Sequence, residues 1–301
     1  MTADRVAPRE RAPALSLVFP VFDEAENLGE LIETALQIAA RLTPDFEIVL
    51  VDDGSRDGSG ELLDAFCAVN PRIRSLRHAS NKGYGAALRS GLREARGEHV
   101  FFSDADLQFD LSELEKLLEH ASDFDIVAGY RSPRRDPWPR SLLAHGWGWL
   151  VRALFGLRVR DIDCAFKLFH RRVLAAMPIA SIGAFVNTEI LVRASRAGYR
   201  IHQVPVTHRR RRSGVQSGAH PRVIERAVRE LVWLSCDLRA PRRWATRPRA
   251  DAAVLAPRAL DRRLPVSVSA GLAGVRRAAG ARARARGSRG RVRVVRGRRG
   301  R

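Results

Sequence analysis

Five short apolar runs are separated by segments with helical periodicity over the first 130 residues of the chain. The runs are Leu15–Pro20, Phe46–Val51, Ile73–Arg77, His99–Ser103 and Asp125–Tyr130. After the first run, Leu28, Leu31 and Ile32 begin a series of apolar residues spaced three or four positions apart. Strands that alternate with helices through short connections are typical of a doubly wound, mostly parallel sheet with helices on both faces. The sequence therefore predicts an α/β protein.

Three of the predicted strands end in polar clusters, which are Phe22–Asn27, Asp52–Ser55 and Asp104–Gln108. In an open α/β sheet the carboxyl ends of parallel strands share one edge, and ligands bind there. Asp104 and Asp106 offer carboxylate oxygens, which suit Mg²⁺ or Mn²⁺. Taken alone, Asp-x-Asp is more often an Asx-turn or the N-cap of the next helix than a metal site. The shared edge favours the metal site.

Three common motifs for nucleotides or nucleophiles are missing from the sequence. No Gly-x-Gly-x-x-Gly follows the first strand, and neither a P-loop nor a Gly-x-Ser-x-Gly elbow occurs. Metal and arginine are the remaining means of holding phosphates. Four consecutive arginines, 209–212, follow the predicted strand Tyr199–Val206. They fit either a solvated loop or a loop that closes over a diphosphate with bidentate hydrogen bonds.

The formal charge of +20 lies almost wholly in residues 241–301, which hold 19 arginines, no lysine and two acidic residues, or +17. We expect this Arg-rich tail to be disordered, because it repels itself and has little to bury. It fits a solvated chain without a role, or a tether to anionic lipid. Nucleic-acid binding is a third alternative, but no aromatic residue supports it in the densest part, from Arg282. The nearly neutral remainder argues for no particular partner.

The lack of recognisable targeting signals and the spacing of the cysteines predict a cytoplasmic protein. No signal peptide is recognisable, and no run of 18 apolar residues predicts a transmembrane helix. Cys67, Cys164 and Cys236 are far apart, which is typical of small packing residues in a reducing compartment. The predicted helix 141–157 carries two tryptophans and is flanked by arginines. It fits an interfacial helix on a membrane and, equally, an ordinary packed helix.

Five motifs, taken in order, resemble those of the family-2 glycosyltransferases, and most of all those of the polyprenyl-phosphate sugar transferases. They are Leu17-Val18-Phe19-Pro20-Val21-Phe22-Asp23-Glu24, Glu47 to Gly58, Asn81-Lys82-Gly83-Tyr84-Gly85-Ala86-Ala87, Asp104-Ala105-Asp106-Leu107-Gln108 and Gly129-Tyr130-Arg131. The resemblance covers residues 14–238, between a loose leader (1–13) and the tail (239–301). It implies the glycosyltransferase-A fold, with a Rossmann-like, mostly parallel sheet. It also implies a metal-dependent, inverting hexosyltransferase that uses a GDP- or UDP-sugar and Mg²⁺ or Mn²⁺.

The resemblance assigns residues to three parts of the site. The base and ribose pocket would be lined by Pro20, Phe22, Glu24, Val51 and Asp53. The metal would be held by Asp104, Asp106 and Gln108, with Ala105 beside the donor. The basic positions near the phosphates match Arg131, Arg140 and Arg211. Direct parts in catalysis are expected of Asp106, Arg131 and Arg211.

The implied acceptor is a polyprenyl phosphate of the undecaprenyl or dolichyl type. A phosphate monoester is mostly ionised near neutral pH and needs no strong base. The alternative acceptor is a hydroxyl of a saccharide or small molecule, which needs a base; the candidates are Asp161, Asp163 and Glu189. A sugar-nucleotide binder without turnover is a third hypothesis. Two motifs depart from the family, since Gly214–Ser217 lacks the usual Lys and Cys164-Ala165-Phe166 replaces Ser-Gly-Phe. No specific nucleic-acid partner is expected, and contact with an anionic membrane would be peripheral.

Overall fold

A computed structural model describes residues 14–133, 138–209 and 221–239, with the backbone alone over 138–145 and 221–222. The strands are β1 (Leu15–Val21), β2 (Phe46–Asp52), β3 (Ile73–Arg77), β4 (His99–Ser103), β5 (Ile126–Arg131), β6 (Phe166–His170) and β7 (Ile201–Val206). The helices are α1 (Ala25–Leu42), α2 (Ser59–Val69), α3 (Tyr84–Glu94), α4 (Leu114–Leu118), α5 (Trp138–Phe155), α6 (Arg171–Ala176), α7 (Val186–Arg196) and α8 (Pro221–Asp237). A 3₁₀ turn, Leu111–Glu113, precedes α4.

The seven strands form one sheet in the order β3-β2-β1-β4-β6-β5-β7. All neighbouring strands are parallel except β6, which runs antiparallel to both β4 and β5. Every residue of β1 and β2 is buried. Since successive side chains of a strand point to opposite faces, both faces of the sheet are covered there. The predicted α/β fold with a mostly parallel sheet is confirmed.

The reversed strand β6 brings a later part of the chain to the edge where β1, β2 and β4 end. In the antiparallel pair, Ser103 at the end of β4 lies opposite Phe166 at the start of β6. The turn before β6, residues 161–165, therefore lies beside the Asp-x-Asp segment. Arg131, at the carboxyl end of β5, lies at the same edge of the sheet.

Local caps and packing depend on particular polar side chains. Asp110 caps the turn before α4, because its Oδ1 accepts hydrogen bonds from the Ser112 N–H (3.1 Å) and Oγ–H (2.7 Å). Asn187 lies inside α7, and its amide serves a buried lysine instead of the helix end. Helix α6 was not predicted. All three cysteines are free, but Cys236 is exposed and so is not a packing residue.

Helix α5 packs on the protein along one side, as the second of the two alternatives for its sequence requires. Trp147 packs its ring against Phe185 at 5.9 Å between ring centres, and its Nε1–H donates to Thr188 Oγ1 at 3.4 Å. Trp149 on the same helix is 70% exposed. One side of α5 is therefore packed on α7, while another presents a large apolar side chain to solvent. Among the described residues, no helix combines the length and the apolar character needed to cross a bilayer.

Candidate active site

Hydrogen bonds from backbone N–H groups to side-chain oxygens join the loops that follow β1 and β2. The Asp23 carboxylate accepts from the Arg56 N–H at 2.8 Å, and the Asp23 N–H donates to Ser55 Oγ at 3.0 Å. The Ala25 N–H donates to Asp57 Oδ2 at 2.8 Å. Asp23 adopts a positive φ of 53°, in the left-handed region that Asp tolerates better than most residues. These bonds hold the two strand ends together as one wall at the carboxyl edge of the sheet, where α/β sheets bind their ligands.

The five residues expected at the base and ribose pocket lie at this wall, but in different surroundings. Pro20 and Val51 are opposite each other in the β1–β2 register, inside the buried strands. Glu24 is buried, and its N–H donates to Ser59 Oγ at 3.1 Å. Phe22 is 46% exposed, so its ring is available to a ligand.

Asp53 uses both carboxylate oxygens to hold the loop that leads into α3. Its Oδ1 lies 2.6 Å from His78 Nδ1 and accepts from the Lys82 N–H at 2.9 Å. Its Oδ2 accepts from the Gly83 N–H at 2.8 Å. The side chain therefore sets the position of this loop and of the first turn of α3.

The Asp-x-Asp segment leaves β4 in a tight turn. Leu107 has a positive φ of 59°, and Asp106 Oδ1 accepts from the Gln108 N–H at 3.1 Å. The Gln108 side chain donates through Nε2 to the Arg209 carbonyl at 3.1 Å, while the Arg209 N–H donates to the Gln108 carbonyl at 2.7 Å. Gln108 Oε1 is thus the amide atom that could ligate a cation. Ala105 is buried between the two carboxylates in sequence.

The electrostatics of the Asp-x-Asp pair fit a divalent cation. Burial and the nearby Asp106 carboxylate raise the pKa of Asp104 to about 7, while Tyr84, Lys167 and Arg131 act in the opposite direction. Asp104 Oδ1 is buried and has no hydrogen-bond partner among the described residues. Two carboxylates that destabilise each other, one with an unsatisfied oxygen, form a donor set that a hard cation would stabilise.

In the described part of the chain, no group of three or more His, Cys, Asp or Glu residues could enclose a metal ion. A cation at Asp104 and Asp106 would therefore complete its coordination with other oxygens. Mg²⁺ is commonly held in this way, by one or two carboxylates together with water and substrate phosphates.

Arg131 is bound on two nitrogens by Asp161. Its Nε donates to Asp161 Oδ2 at 2.6 Å and its Nη2 donates to Asp161 Oδ1 at 2.8 Å, and both side chains are buried. This bidentate pair presents the arginine at the crevice edge with a fixed orientation. Asp161, considered as a general base, is instead the counter-ion of Arg131.

Glu189, the second candidate base, is also committed to other groups. It is fully buried on α7 and binds Arg193 Nε at 2.8 Å. Its carboxylate also accepts from the backbone N–H groups of Ala180 and Ser181. Asp163, the third candidate, is exposed and takes part in further interactions.

Two of the expected basic residues are not placed by the structure. Arg211 lies outside the described residues, and Arg140 lies in the backbone-only part of α5. Of the four consecutive arginines, only Arg209 is described; its Nη2 binds Asp110 Oδ2 at 2.6 Å. The next residue back along the chain, His208, is buried with its ring 5.3 Å from that of Phe109.

Sequence reasoning missed a buried polar group behind Asp104, formed by Tyr84, Lys167 and Asn187. Lys167 is 1% exposed, and its ammonium donates to the carbonyls of Ile162 (3.0 Å) and Cys164 and to Asn187 Oδ1 (3.1 Å). The signal in the sequence was a lysine inside an apolar strand, since buried lysines are rare unless a specific partner holds them.

The mostly parallel seven-stranded sheet, with an Asp-x-Asp pair at its carboxyl edge, defines a protein of the glycosyltransferase-A class. The family model described as "Glycosyl transferase family 2" matches residues 16–179, which is more than half of the chain. The chain therefore belongs to glycosyl transferase family 2.

Two curated relatives illustrate what the chain is similar to. It is 31% identical over 217 residues to glycosyltransferase AglD of Haloferax volcanii, covering 66% of this chain and 35% of that protein. It is 35% identical over 166 residues to the undecaprenyl-phosphate 4-deoxy-4-formamido-L-arabinose transferase of Pectobacterium atrosepticum, covering 54% of this chain and 50% of that protein. The chain thus spans half or less of the length of these two relatives.

Solved structures share the fold at low sequence identity. A crystal structure of a mycobacterial protein superposes with a TM-score of 0.60 at 22% identity, covering 74% of this chain and 75% of that one. Glucosyl-3-phosphoglycerate synthase from Mycobacterium tuberculosis, in complex with Mn²⁺, UDP-glucose and phosphoglyceric acid, superposes with a TM-score of 0.58 at 18% identity, covering 74% and 80%. These likenesses establish the fold.

Proposed function

We propose that the protein transfers a sugar from a nucleotide-diphospho-sugar to a polyprenyl phosphate and depends on a divalent cation. The observation that carries this proposal is the Asp104–Asp106 pair at the carboxyl edge, with its raised Asp104 pKa and the unsatisfied Oδ1. The name of the Pectobacterium relative, which specifies undecaprenyl phosphate, supports the acceptor. The Mn²⁺ and UDP-glucose named for the mycobacterial synthase support the metal and a UDP-linked donor.

In the proposed reaction, the donor lies along the edge from β1 to β5. The base and ribose lie against the wall that carries Phe22 and Glu24, and the diphosphate lies between Asp104–Asp106 and Arg131. Gln108 joins the two carboxylates as a ligand of the cation. When bound, the divalent cation neutralises the negative charge that develops on the leaving diphosphate. Arg131, held by Asp161, adds a fixed positive charge near the same phosphates.

The chemical step exchanges one carbon–oxygen bond for another. An oxygen of the acceptor phosphate attacks the anomeric carbon, while the bond from that carbon to the diphosphate breaks on the opposite face. The nucleoside diphosphate leaves with the bonding electron pair, and the configuration at the anomeric carbon inverts. No proton has to be removed, since the second pKa of a phosphate monoester is about 6.

The surroundings of the candidate bases favour a phosphate acceptor over a hydroxyl. A hydroxyl acceptor needs a carboxylate that can take its proton. Asp161 is held on both oxygens by Arg131, and Glu189 is buried against Arg193 and two backbone N–H groups. An acceptor that arrives already ionised requires neither of them.

A lipid acceptor also requires the protein to meet a bilayer surface, and exposed apolar side chains support such contact. Helix α8 exposes Ile224, Val228 and Val232, spaced four residues apart, and α5 exposes Trp149. The 19 arginines of residues 241–301 would add attraction to anionic lipid. We therefore propose peripheral contact with the anionic, cytoplasmic face of a membrane.

The test is a donor and acceptor screen with the purified full-length chain. Radiolabelled UDP- and GDP-sugars are incubated with Mg²⁺ or Mn²⁺ and undecaprenyl or dolichyl phosphate, and the lipid phase is separated and counted. Label in the lipid phase, abolished by EDTA, is the expected result. Label only in water-soluble product would indicate a hydroxyl acceptor, and no label with any donor would refute transfer.

The variant Asp104→Ala distinguishes an enzyme from a sugar-nucleotide binder. We expect transfer to fall by roughly 10²–10³-fold or more, because loss of one charge-stabilising group at a transition state has effects of that order. Asp64→Ala removes an exposed carboxylate on α2, paired with Arg77 at 3.2 Å, and serves as the matched control. Equal activity of the two variants would contradict the assignment of Asp104.

A further inference from the structure

The chain between α5 and β6 carries Asp161 in an irregular stretch, residues 157–164, which we call the Asp161 segment. Buried and exposed positions alternate along its first half. The buried residues there are Leu157, Val159 and Asp161, and the exposed ones are Arg158 and Arg160. An extended chain alternates its side chains in this way, so a slip of one residue turns every side chain to the opposite side. Asp161 therefore meets Arg131 only if the register of the segment is fixed.

Gln203 on β7 fixes this register on the side of the segment that precedes Asp161. Its Oε1 accepts a hydrogen bond from the Arg160 N–H at 2.7 Å, and its Nε2 donates to the Arg158 carbonyl at 3.2 Å. One side-chain amide thus pairs with the backbone in the way that a neighbouring strand would. Because successive N–H and carbonyl groups of an extended chain point in opposite directions, a slip of one residue would break both hydrogen bonds.

Lys167 on β6 holds the segment on the other side of Asp161. Its ammonium donates to the Ile162 carbonyl at 3.0 Å and to the Cys164 carbonyl. It also donates to Asn187 Oδ1 on α7 at 3.1 Å, which ties the segment to a packed helix. A buried ammonium gains most of its stability from such hydrogen bonds, so the lysine and the segment hold each other in place.

The two anchors stand in one row of the sheet. Lys167 and Gln203 each lie opposite Ala128 of β5, which is the strand between β6 and β7. Residues directly opposite each other on neighbouring strands project from the same face of a sheet, so the two anchors rise from one face about 10 Å apart. The strand between them ends in Arg131. Anchors and arginine thus belong to one rigid sheet.

We propose that Gln203 and Lys167 are positioning residues for the site of the donor diphosphate: they clamp the Asp161 segment on both sides of Asp161 and so fix the carboxylate that orients Arg131. The inference rests on the proposed function, in which Arg131 acts on the phosphates of the donor. Asp161 meets Arg131 at Nε (2.6 Å), at Nη2 (2.8 Å) and at the backbone N–H (3.3 Å). Since bidentate pairing fixes direction as well as distance, a displaced carboxylate would leave Arg131 charged but wrongly oriented.

The test compares two ligands that differ only in the diphosphate. Binding of UDP and of uridine to the full-length protein is titrated with Mg²⁺ present and followed by saturation-transfer NMR, with GDP and guanosine as a second pair. Gln203→Met keeps the length of the side chain and removes both of its hydrogen bonds. We expect its affinity for UDP to fall about tenfold, since a misaligned Arg131 loses a charge-assisted hydrogen bond to the diphosphate. Its affinity for uridine should equal that of the wild type.

The control makes the same substitution elsewhere in the protein. Gln37→Met changes an exposed glutamine on α1 and should bind both ligands like the wild type. Lys167→Met removes the second anchor and should show the same selective loss of UDP affinity. Because that variant also removes a buried charge, the decision rests on Gln203→Met at the edge strand. An equal loss for UDP and uridine in Gln203→Met would indicate a general disturbance and overturn the positioning role.

A double-mutant cycle tests whether Gln203 acts through Arg131. Arg131→Lys keeps the positive charge but loses the planar fork that Asp161 orients, so it should also weaken UDP binding. Residues that act through one hydrogen-bond network couple, whereas independent residues add. Gln203→Met should therefore add little to the loss caused by Arg131→Lys. Additive losses would overturn the route through Arg131.

Failure of this inference and failure of the proposed function give different results. If the wild type binds neither UDP nor GDP, the proposed use of a nucleotide-sugar fails. If Arg131→Lys binds UDP like the wild type, the proposed place of Arg131 at the phosphates fails. If Arg131→Lys is impaired and Gln203→Met is not, only the role of the two anchors is refuted.

Discussion

The bidentate pair between Arg131 and Asp161 decides how two charged residues near the site can act. The pair is shielded from water, since 6% of the Arg131 side chain and 8% of the Asp161 side chain are exposed, so the loss of either charge removes a buried counter-ion from the other. Asp161 therefore acts on the reaction through the orientation of Arg131. Asp53 is similar, since it holds the loop before α3 with both oxygens. These two carboxylates at the carboxyl edge of the sheet therefore position neighbouring parts of the protein.

We predict that Asp161→Asn lowers the free energy of unfolding by about 3–5 kcal/mol, because it removes the buried carboxylate that holds the Arg131 charge on two nitrogens. Urea denaturation of the purified protein measures the change. The control is Glu115→Gln, which breaks an exposed ion pair with Arg41 at 3.4 Å and should change stability by no more than about 0.5 kcal/mol. A variant Asp161→Asn of normal stability that has lost transfer to hydroxyl acceptors would instead identify Asp161 as a base.

Helix α3 carries Tyr84 at one end, and its position depends on close packing against β1 and β2. A Cβ atom at Gly91 would lie 2.5 Å from Val18 Cγ1 and 3.0 Å from Val51 Cγ2. Only a residue without a side chain lets the helix approach the sheet this closely.

We predict that Gly91→Ala destabilises the protein although alanine favours helices. Overpacking against two stiff β-branched side chains costs about 1–3 kcal/mol, which outweighs the gain of about 1 kcal/mol in helix propensity. Gly148→Ala in α5 is the matched control, because no atom of the described residues lies within 4 Å of its added Cβ and stability should rise by up to about 1 kcal/mol. Chemical denaturation of both variants checks the prediction; equal gains would show that α3 can move outwards without cost.

The described part of the molecule presents an apolar stripe on α8 that a protein acting on a lipid would use. Ile224, Val228 and Val232 are each more than 40% exposed and lie one above another at four-residue spacing. On the inner side of the same helix, Glu230 Oε1 accepts from the Ile182 N–H at 3.0 Å, which ties α8 to the loop before α7. A surface fixed in this way could set the distance between a bilayer and the crevice.

We predict that the full-length protein sediments with vesicles that contain phosphatidylglycerol, and less with pure phosphatidylcholine. The double variant Val228→Glu/Val232→Glu should reduce binding at least about tenfold, since full burial of one such side chain is worth about 1.5–3 kcal/mol. The matched control is Val69→Glu, which changes a 52% exposed valine on α2. Equal binding of the α8 variant and the control would exclude the stripe as the contact surface.

The sequence alone predicted the strands, the carboxyl edge and the Asp-x-Asp segment, because strand length, helical periodicity and the polarity of strand ends are local properties. It did not predict the short helix α6 or the antiparallel direction of β6, since an apolar run carries no sign of which way its strand is laid in the sheet.

Only the tertiary structure decided which partner each polar group has. Arg131 and Asp161 are 30 residues apart, and Lys167 and Asn187 are 20 apart. Their hydrogen bonds depend on where loops close and on the direction of side chains, which no periodicity encodes. The sequence by itself therefore determined the class of fold and the place of the site, whereas tertiary packing decided that Asp161 holds Arg131 and that Lys167 binds Asn187.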